Sequence, residues 1–133
     1  MRLSVIFDFL KSTILVFVVA TLTACASGSA IVTGNARTPV APQSVKLYLE
    51  PPSKFEVIGL VNATSDAGWT EQGSLDYAVA ELKKQASKIG ANGVLLVSSG
   101  ETITGFISGR TYAVPVTGKT VQGKAIFVDE QAQ

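Results

Sequence analysis

Few side chains in this sequence can act as nucleophiles, bases or ligands, and one of them stands alone. Cys25 is the only cysteine, there is no histidine, and 10 acidic residues face 11 basic ones. Without an imidazole, neither Ser-His nor Cys-His catalysis is available. One thiol and no His leave too few ligands for a zinc site and no internal disulfide, so neither a metal nor another cofactor is expected. Carboxylates remain. Glu50, Glu56, Asp66, Glu71 and Glu101 fall in or beside expected loops, where a pair would in principle serve glycoside hydrolysis. A folded unit of about 90 residues has little room for a deep cleft once its core is built. Solvated surface acids are the plainer reading, no catalytic residue is assigned, and a small carboxylate-dependent hydrolase is the least favoured function. Gly118-Lys119-Thr120 looks like the end of a phosphate-binding loop. The Gly that such a loop needs five residues earlier is Ala113, and no helical pattern follows Thr120. Lys119 is expected in a hairpin turn instead. Trp69, the sole tryptophan, sits among Gly68, Thr70 and Gly73. It is a candidate partner contact, with a cover over the open end of a sheet as the alternative. A net charge of +1 argues against a nucleic-acid partner.

The surroundings of Cys25 explain the isolated thiol. Arg2 and Lys11 flank an apolar stretch broken by Asp8, and Ser12 to Leu22 then runs eleven residues without a charge. That order of basic, short apolar and small residues describes a secretory signal peptide. A spanning helix needs about 20 apolar residues. Extending back to Leu3 would bury Asp8 and Lys11 at about 2.5–3.5 kcal/mol each. Leu22-Thr23-Ala24-Cys25 then resembles the lipobox of bacterial lipoproteins: an aliphatic residue, two small ones, and an obligatory Cys. The resemblance implies that the Cys25 thiol accepts a diacylglycerol before cleavage after Ala24, and that its new amino group takes a third acyl chain. Each buried methylene contributes about 0.8 kcal/mol, so three chains hold a protein on a membrane durably. Ala26 rather than Asp after that Cys implies the periplasmic face of the outer membrane. Cleavage removes Arg2, Lys11 and Asp8, leaving nine basic and nine acidic side chains.

Residues 1–24 are therefore read as a cleaved signal peptide, 25–43 as the lipidated Cys and a flexible linker, and 44–130 as a small periplasmic α/β domain. The 18 residues from Ala26 to Gln43 are rich in Ala, Ser, Gly, Thr and Pro. As a coil they would average roughly 23 Å end to end, with Ile31-Val32 as an alternative docking strand. Val45, Leu47 and Leu49 alternate with polar residues as in a half-buried strand ended by Pro51-Pro52. Phe55 to Ala63 alternates again, with Phe55, Val57, Val61 and Ala63 on one face, Ile58 and Leu60 on the other, and a bulge suggested at Gly59.

Leu75, Ala78, Val79, Leu82, Ala86 and Ile89 form one stripe at the helical period. That spacing predicts a helix over 75–89, capped by Ser74 and ended by Gly90. Val94–Val97 is a continuous apolar run, expected of a central strand covered on both faces. Weak strands follow near 103–107 and 111–116, and a last one at 125–128. The fold expected is a two-layer α+β or α/β unit, one amphipathic helix packed on a three- to five-stranded mixed sheet containing a β-α-β crossover.

Phe55-Glu56-Val57-Ile58-Gly59, the Trp-bearing loop, the helix, and Lys88-Ile89-Gly90-Ala91-Asn92-Gly93-Val94 resemble small bacterial envelope lipoproteins. That group includes the outer-membrane sensor lipoprotein of the Rcs stress-signalling system. The sensor's disulfides have no counterpart here, so the resemblance implies an anchored α/β architecture with Cys25 as its one functional residue. The function expected is a membrane-anchored, periplasm-facing, non-catalytic binding or envelope-maintenance module. Its partners would be the membrane through Cys25 and an envelope protein or peptidoglycan. An envelope stress sensor is the alternative.

Overall fold

The computed structural model describes residues 2–8, 26–68 and 70–129. Residues 2–8 form a short helix, α1. The body is a five-stranded mixed sheet of β1 (Ala26–Val32), β2 (Lys46–Tyr48), β3 (Phe55–Ser65), β4 (Gly93–Ser108) and β5 (Ala113–Val128), with helix α2 (Glu71–Lys88) against it. The strand order is β1-β3-β5-β4-β2, antiparallel throughout except where β2 meets β4.

The first departure from the sequence reading is at the expected linker. Ala26–Val32 is not a coil but an edge strand, paired residue for residue with β3 from Ala26 opposite Ser65 to Val32 opposite Gly59. The chain stays attached beyond it. Thr33 and Gly34 donate to Ile58 O, Arg37 N–H donates to Ile89 O, and Val40 N–H to Ser87 O. Hydrophobicity alone could not reveal this strand, because its inward residues are small: Gly28 faces the Glu81 and Gln85 side chains, and Ala30 packs on the core. Among the described residues the sheet therefore takes in Ala26–Val32, which the sequence reading left outside the folded unit.

β3 corrects a face assignment. Its register against β5 shifts between Val57 and Gly59, and a bulge reverses which side later residues face. Ile58 is therefore buried together with Val61 and Ala63, while Leu60 faces outward.

The helix begins a turn earlier than its apolar stripe. Thr70 caps it, its Oγ1 accepting from Gly73 N–H at 3.0 Å. Ser74, expected as the cap, is buried, and its Oγ accepts from Gly68 N–H at 3.2 Å. Gly73 in the first turn has poor helix propensity, which hid the true start. At the other end Gly90 takes φ +82, and its Cα lies so close to the Arg37 backbone that a Cβ would meet the carbonyl carbon at 2.5 Å. Ala78, Leu82 and Ala86 are fully buried in one cluster with Val45, Ile58, Val61, Ala63, Val94, Val121 and Ala125.

β4 and β5 overturn two more expectations. The register of β4 slips between Leu96 and Ser98, so Val97 points outward at 61% exposure instead of being covered. The weak strands are the distal parts of two 16-residue strands, whose turn is closed by Gly109 N–H donating to Tyr112 O. Lys119 is consequently inside β5, opposite Glu101, and not in a turn.

Candidate functional site

Strand alternation divides the sheet into a face under α2 and a face left open. Along β5, Lys119, Val121, Gly123 and Ala125 point toward the helix, while Thr120, Gln122 and Lys124 point away. The register carries that division across the sheet. Ser29, Asn62, Gln122 and Ser98 form one row on the open face, and Ser27, Thr64, Thr120 and Gly100 the next. Ser29 Oγ donates to Asn62 Oδ1 at 3.2 Å, and the Thr64 and Thr120 hydroxyls are 3.0 Å apart. The β3, β5 and β4 members of these rows, with Ser99, Glu101 and Thr102, line a shallow cavity of about 420 Å³. An adjoining cleft of about 580 Å³ runs from Ala26 and Ser27 across Thr64–Asp66 to Thr102–Thr104. On the other side of the amide row, Ile31, Leu60 and Val97 border a smaller recess of about 200 Å³ with Gln122 and Gly123. The two central rows offer neutral hydroxyls and carboxamides, between an edge that carries Glu101 and Asp66 and an aliphatic rim, suited to polar recognition.

Of the five carboxylates, the structure brings two together. Glu71 at the start of α2 and Glu101 on β4 share Lys119, with the Lys119–Glu71 contact at 3.7 Å and a closer one to Glu101. The ammonium's hydrogen bond to Glu101 raises the Lys119 pKa; desolvation opposes this, and the charges of Glu101 and Glu71 add to it. The pair thus serves as the counter-charge of one lysine, which leaves no free carboxylate couple there for acid–base work. Glu56 is held at 2.8 Å by Arg37, whose guanidinium also lies 3.8 Å from the centre of the Phe127 ring. Asp66 lines the larger cleft, and Glu50 lies apart in the turn after β2. Among the described residues there is no group of three or more His, Cys, Asp or Glu that could hold a metal ion, and no helix long and apolar enough to cross a membrane.

Cys25, the preceding Leu22, Thr23 and Ala24, and Trp69 lie outside the described residues. Their neighbours are placed, however. Ala26, bonded to Cys25, heads β1 in the register row Ala26–Ser65–Lys119–Glu101 at one end of the sheet. The open-face residues went unnoticed in sequence because none has a reactive side chain. The available signal was the alternation of Asn62 and Thr64 with Val61 and Ala63, and of Thr120 and Gln122 with Val121 and Gly123.

No family model matches this chain, and no curated protein does. Among solved structures, the chain is similar to the crystal structure of the Francisella virulence factor FvfA. The TM-score is 0.54 at 16% sequence identity, covering 78% of this chain and 99% of that one, a likeness of fold alone.

Proposed function

We propose that this chain is a lipid-anchored bacterial lipoprotein facing the periplasm, whose domain is a non-catalytic binding module for an envelope partner. The observation that carries the binding half is the concave open face. Ser29 pairs with Asn62 and Thr64 with Thr120 across strands, and no charged residue stands in its two central rows. A partner matched to it is rich in hydroxyl and amide groups, as peptidoglycan glycan or an exposed protein backbone is. The anchoring half rests on the sole Cys at position 25 after Leu22-Thr23-Ala24. The scaffold beneath is read as a parallel β3–α2–β4 crossover with β5 inserted between its strands, the helix laying its apolar stripe on the sheet.

Two measurements test this reading. Metabolic labelling with a palmitate analogue should mark the native chain and leave Cys25→Ala unmarked; a label unaffected by the substitution refutes the anchor. A photo-crosslinking residue at Gln122, on the open face, should capture a sacculus or envelope-protein component in intact cells. The same residue at Lys84, on the exposed side of α2, should not. Equal yields at both positions refute the binding face.

A further inference from the structure

Among the described residues, no strand or helix covers the part of the β4–β5 hairpin beyond the Glu101–Lys119 row. β3 stops pairing at Ser65 opposite Lys119, β2 reaches only Leu95, and α2 begins where Glu71 meets Lys119. The remaining two-stranded ribbon is nonetheless apolar. Ile103, Phe106, Ile107, Tyr112 and Val114 are between 50% and 65% exposed. The pairings Ile103–Thr117 and Phe106–Pro115 place Ile103 and Phe106 on one face, whereas Ile107 pairs with Val114 on the other. A ribbon meant to pack against one sheet or helix needs one apolar face. One with apolar residues on both faces is suited to a surrounding that is apolar on all sides.

The position of the anchor says what that surrounding is. Ala26 lies in the same register row as Glu101, three strand spacings or roughly 14 Å away, so the residue to which Cys25 is bonded is level with the base of the ribbon. With β1 in the sheet, no 23 Å spacer separates lipid from domain. The ribbon then runs about 20–24 Å from Glu101 to Ser108 at 3.4 Å per residue, away from the end that β2 and the C-terminus of α2 occupy. Its register slips between Ile103 and Gly105, and such a bulge bends a ribbon. The cleft that Ala26 lines reaches the start of the ribbon at Thr102–Thr104.

We infer that the distal β4–β5 ribbon lodges in the headgroup–acyl boundary of the bilayer that holds Cys25, as a second, non-covalent contact that fixes the domain's orientation. This rests on the reading of Cys25 as lipid-bearing. The ribbon is tilted and shallow, because both its edges carry unpaired backbone groups that hydrocarbon would leave unsatisfied. Arg110 at the turn is placed to meet headgroup phosphates. The open polar face is then held at a fixed angle to the membrane.

The test uses the acylated chain in vesicles of phosphatidylethanolamine and phosphatidylglycerol. Cys25 is consumed by lipid, so Phe106→Cys, Ile107→Cys and Lys84→Cys, the last at an exposed site on α2, can each carry one nitroxide. The expected result is at least a fivefold higher ratio of oxygen to nickel-chelate collision rates at 106 and 107 than at 84. Three equal, aqueous ratios on a chain whose intact mass shows acylated Cys25 overturn the ribbon contact and leave the anchor standing. An unacylated mass overturns the anchor, and the ribbon contact falls with it. Spin–spin broadening at 106 and 107 without oxygen access means the ribbon pairs with a second copy, which also overturns the inference.

Discussion

Asn92 lies where β4 begins, and its carboxamide does the work of a strand residue. Its Nδ2 donates to Val128 O at 2.7 Å, and Val128 N–H donates to its Oδ1 at 2.8 Å. The β4–β5 ladder has its last backbone pair at Gly93 opposite Ile126. The side chain therefore supplies the next two bonds of the ladder, closing the end of β5 that the backbone leaves open. Val128 is 4% exposed, so water is a poor substitute.

Asn92→Ala should therefore cost more than an average surface change. Removing one partner leaves a buried N–H unsatisfied at about 1–3 kcal/mol, and the lost bond to the carbonyl adds about 0.5–1.5 kcal/mol. A total near 2–3 kcal/mol lowers Tm by roughly 10–20 °C in a unit of this size. Urea unfolding of the mature chain should show a lower midpoint at unchanged m, with faster amide exchange at Val128. Ser29→Ala, which removes an exposed bond to Asn62, should stay within about 0.5 kcal/mol. If Asn92→Ala falls inside that same margin, the ladder-closing role is wrong.

Leu82→Ala empties a fully buried site between α2 and the sheet. It should cost about 2–5 kcal/mol by chemical denaturation, and Leu82→Met under about 1.5 kcal/mol. Gly90→Ala combines a left-handed backbone with a clash on Arg37. It should cost at least about 1–2 kcal/mol, with exchange accelerated at Arg37 N–H, whose bond to Ile89 O would be displaced. Lys119 has a raised pKa, mainly through Glu101. Its contribution is complete below the unfolded lysine value near 10.4 and is lost as pH rises through the folded one. Lys119→Met should flatten the alkaline limb of the stability profile; an unchanged limb shows that the lysine does not contribute.

The helix, its end at Gly90 and the presence of strands near 46, 55 and 126 were legible because each carries a periodic or terminal signal strong enough to survive its context. What was not legible has a common physical cause: the deciding information lay in a partner strand. Ala26–Val32 reads as linker because its inward side is Gly28 and Ala30, small enough to let α2 approach, and only β3 makes it a strand. Ile58 and Leu60, read as sharing a face, lie on opposite ones because of a register slip that no count of alternating residues can locate. Lys119 looks like a turn residue beside Gly118 until Glu101 stands opposite it.

That mislaid linker changes more than a boundary, because a tether and a strand make opposite mechanical demands. A coil between lipid and domain would let the open face sample every angle to the membrane, and any binding there would pay for orientation at each encounter. A strand hydrogen-bonded from its first described residue transmits the position of Cys25 directly to β3 and, through β5, to Glu101. The row of Ser29, Asn62, Gln122 and Ser98 then has a defined direction relative to Ala26, the residue that follows the proposed lipid attachment point. Inserting flexible Gly-Ser residues between Cys25 and Ala26 separates the two cases. With the strand acting as a rigid mount, the insertion should weaken capture at Gln122 while palmitate labelling and thermal stability stay as in the native chain. Unchanged capture would mean that the face works independently of how its first strand is held.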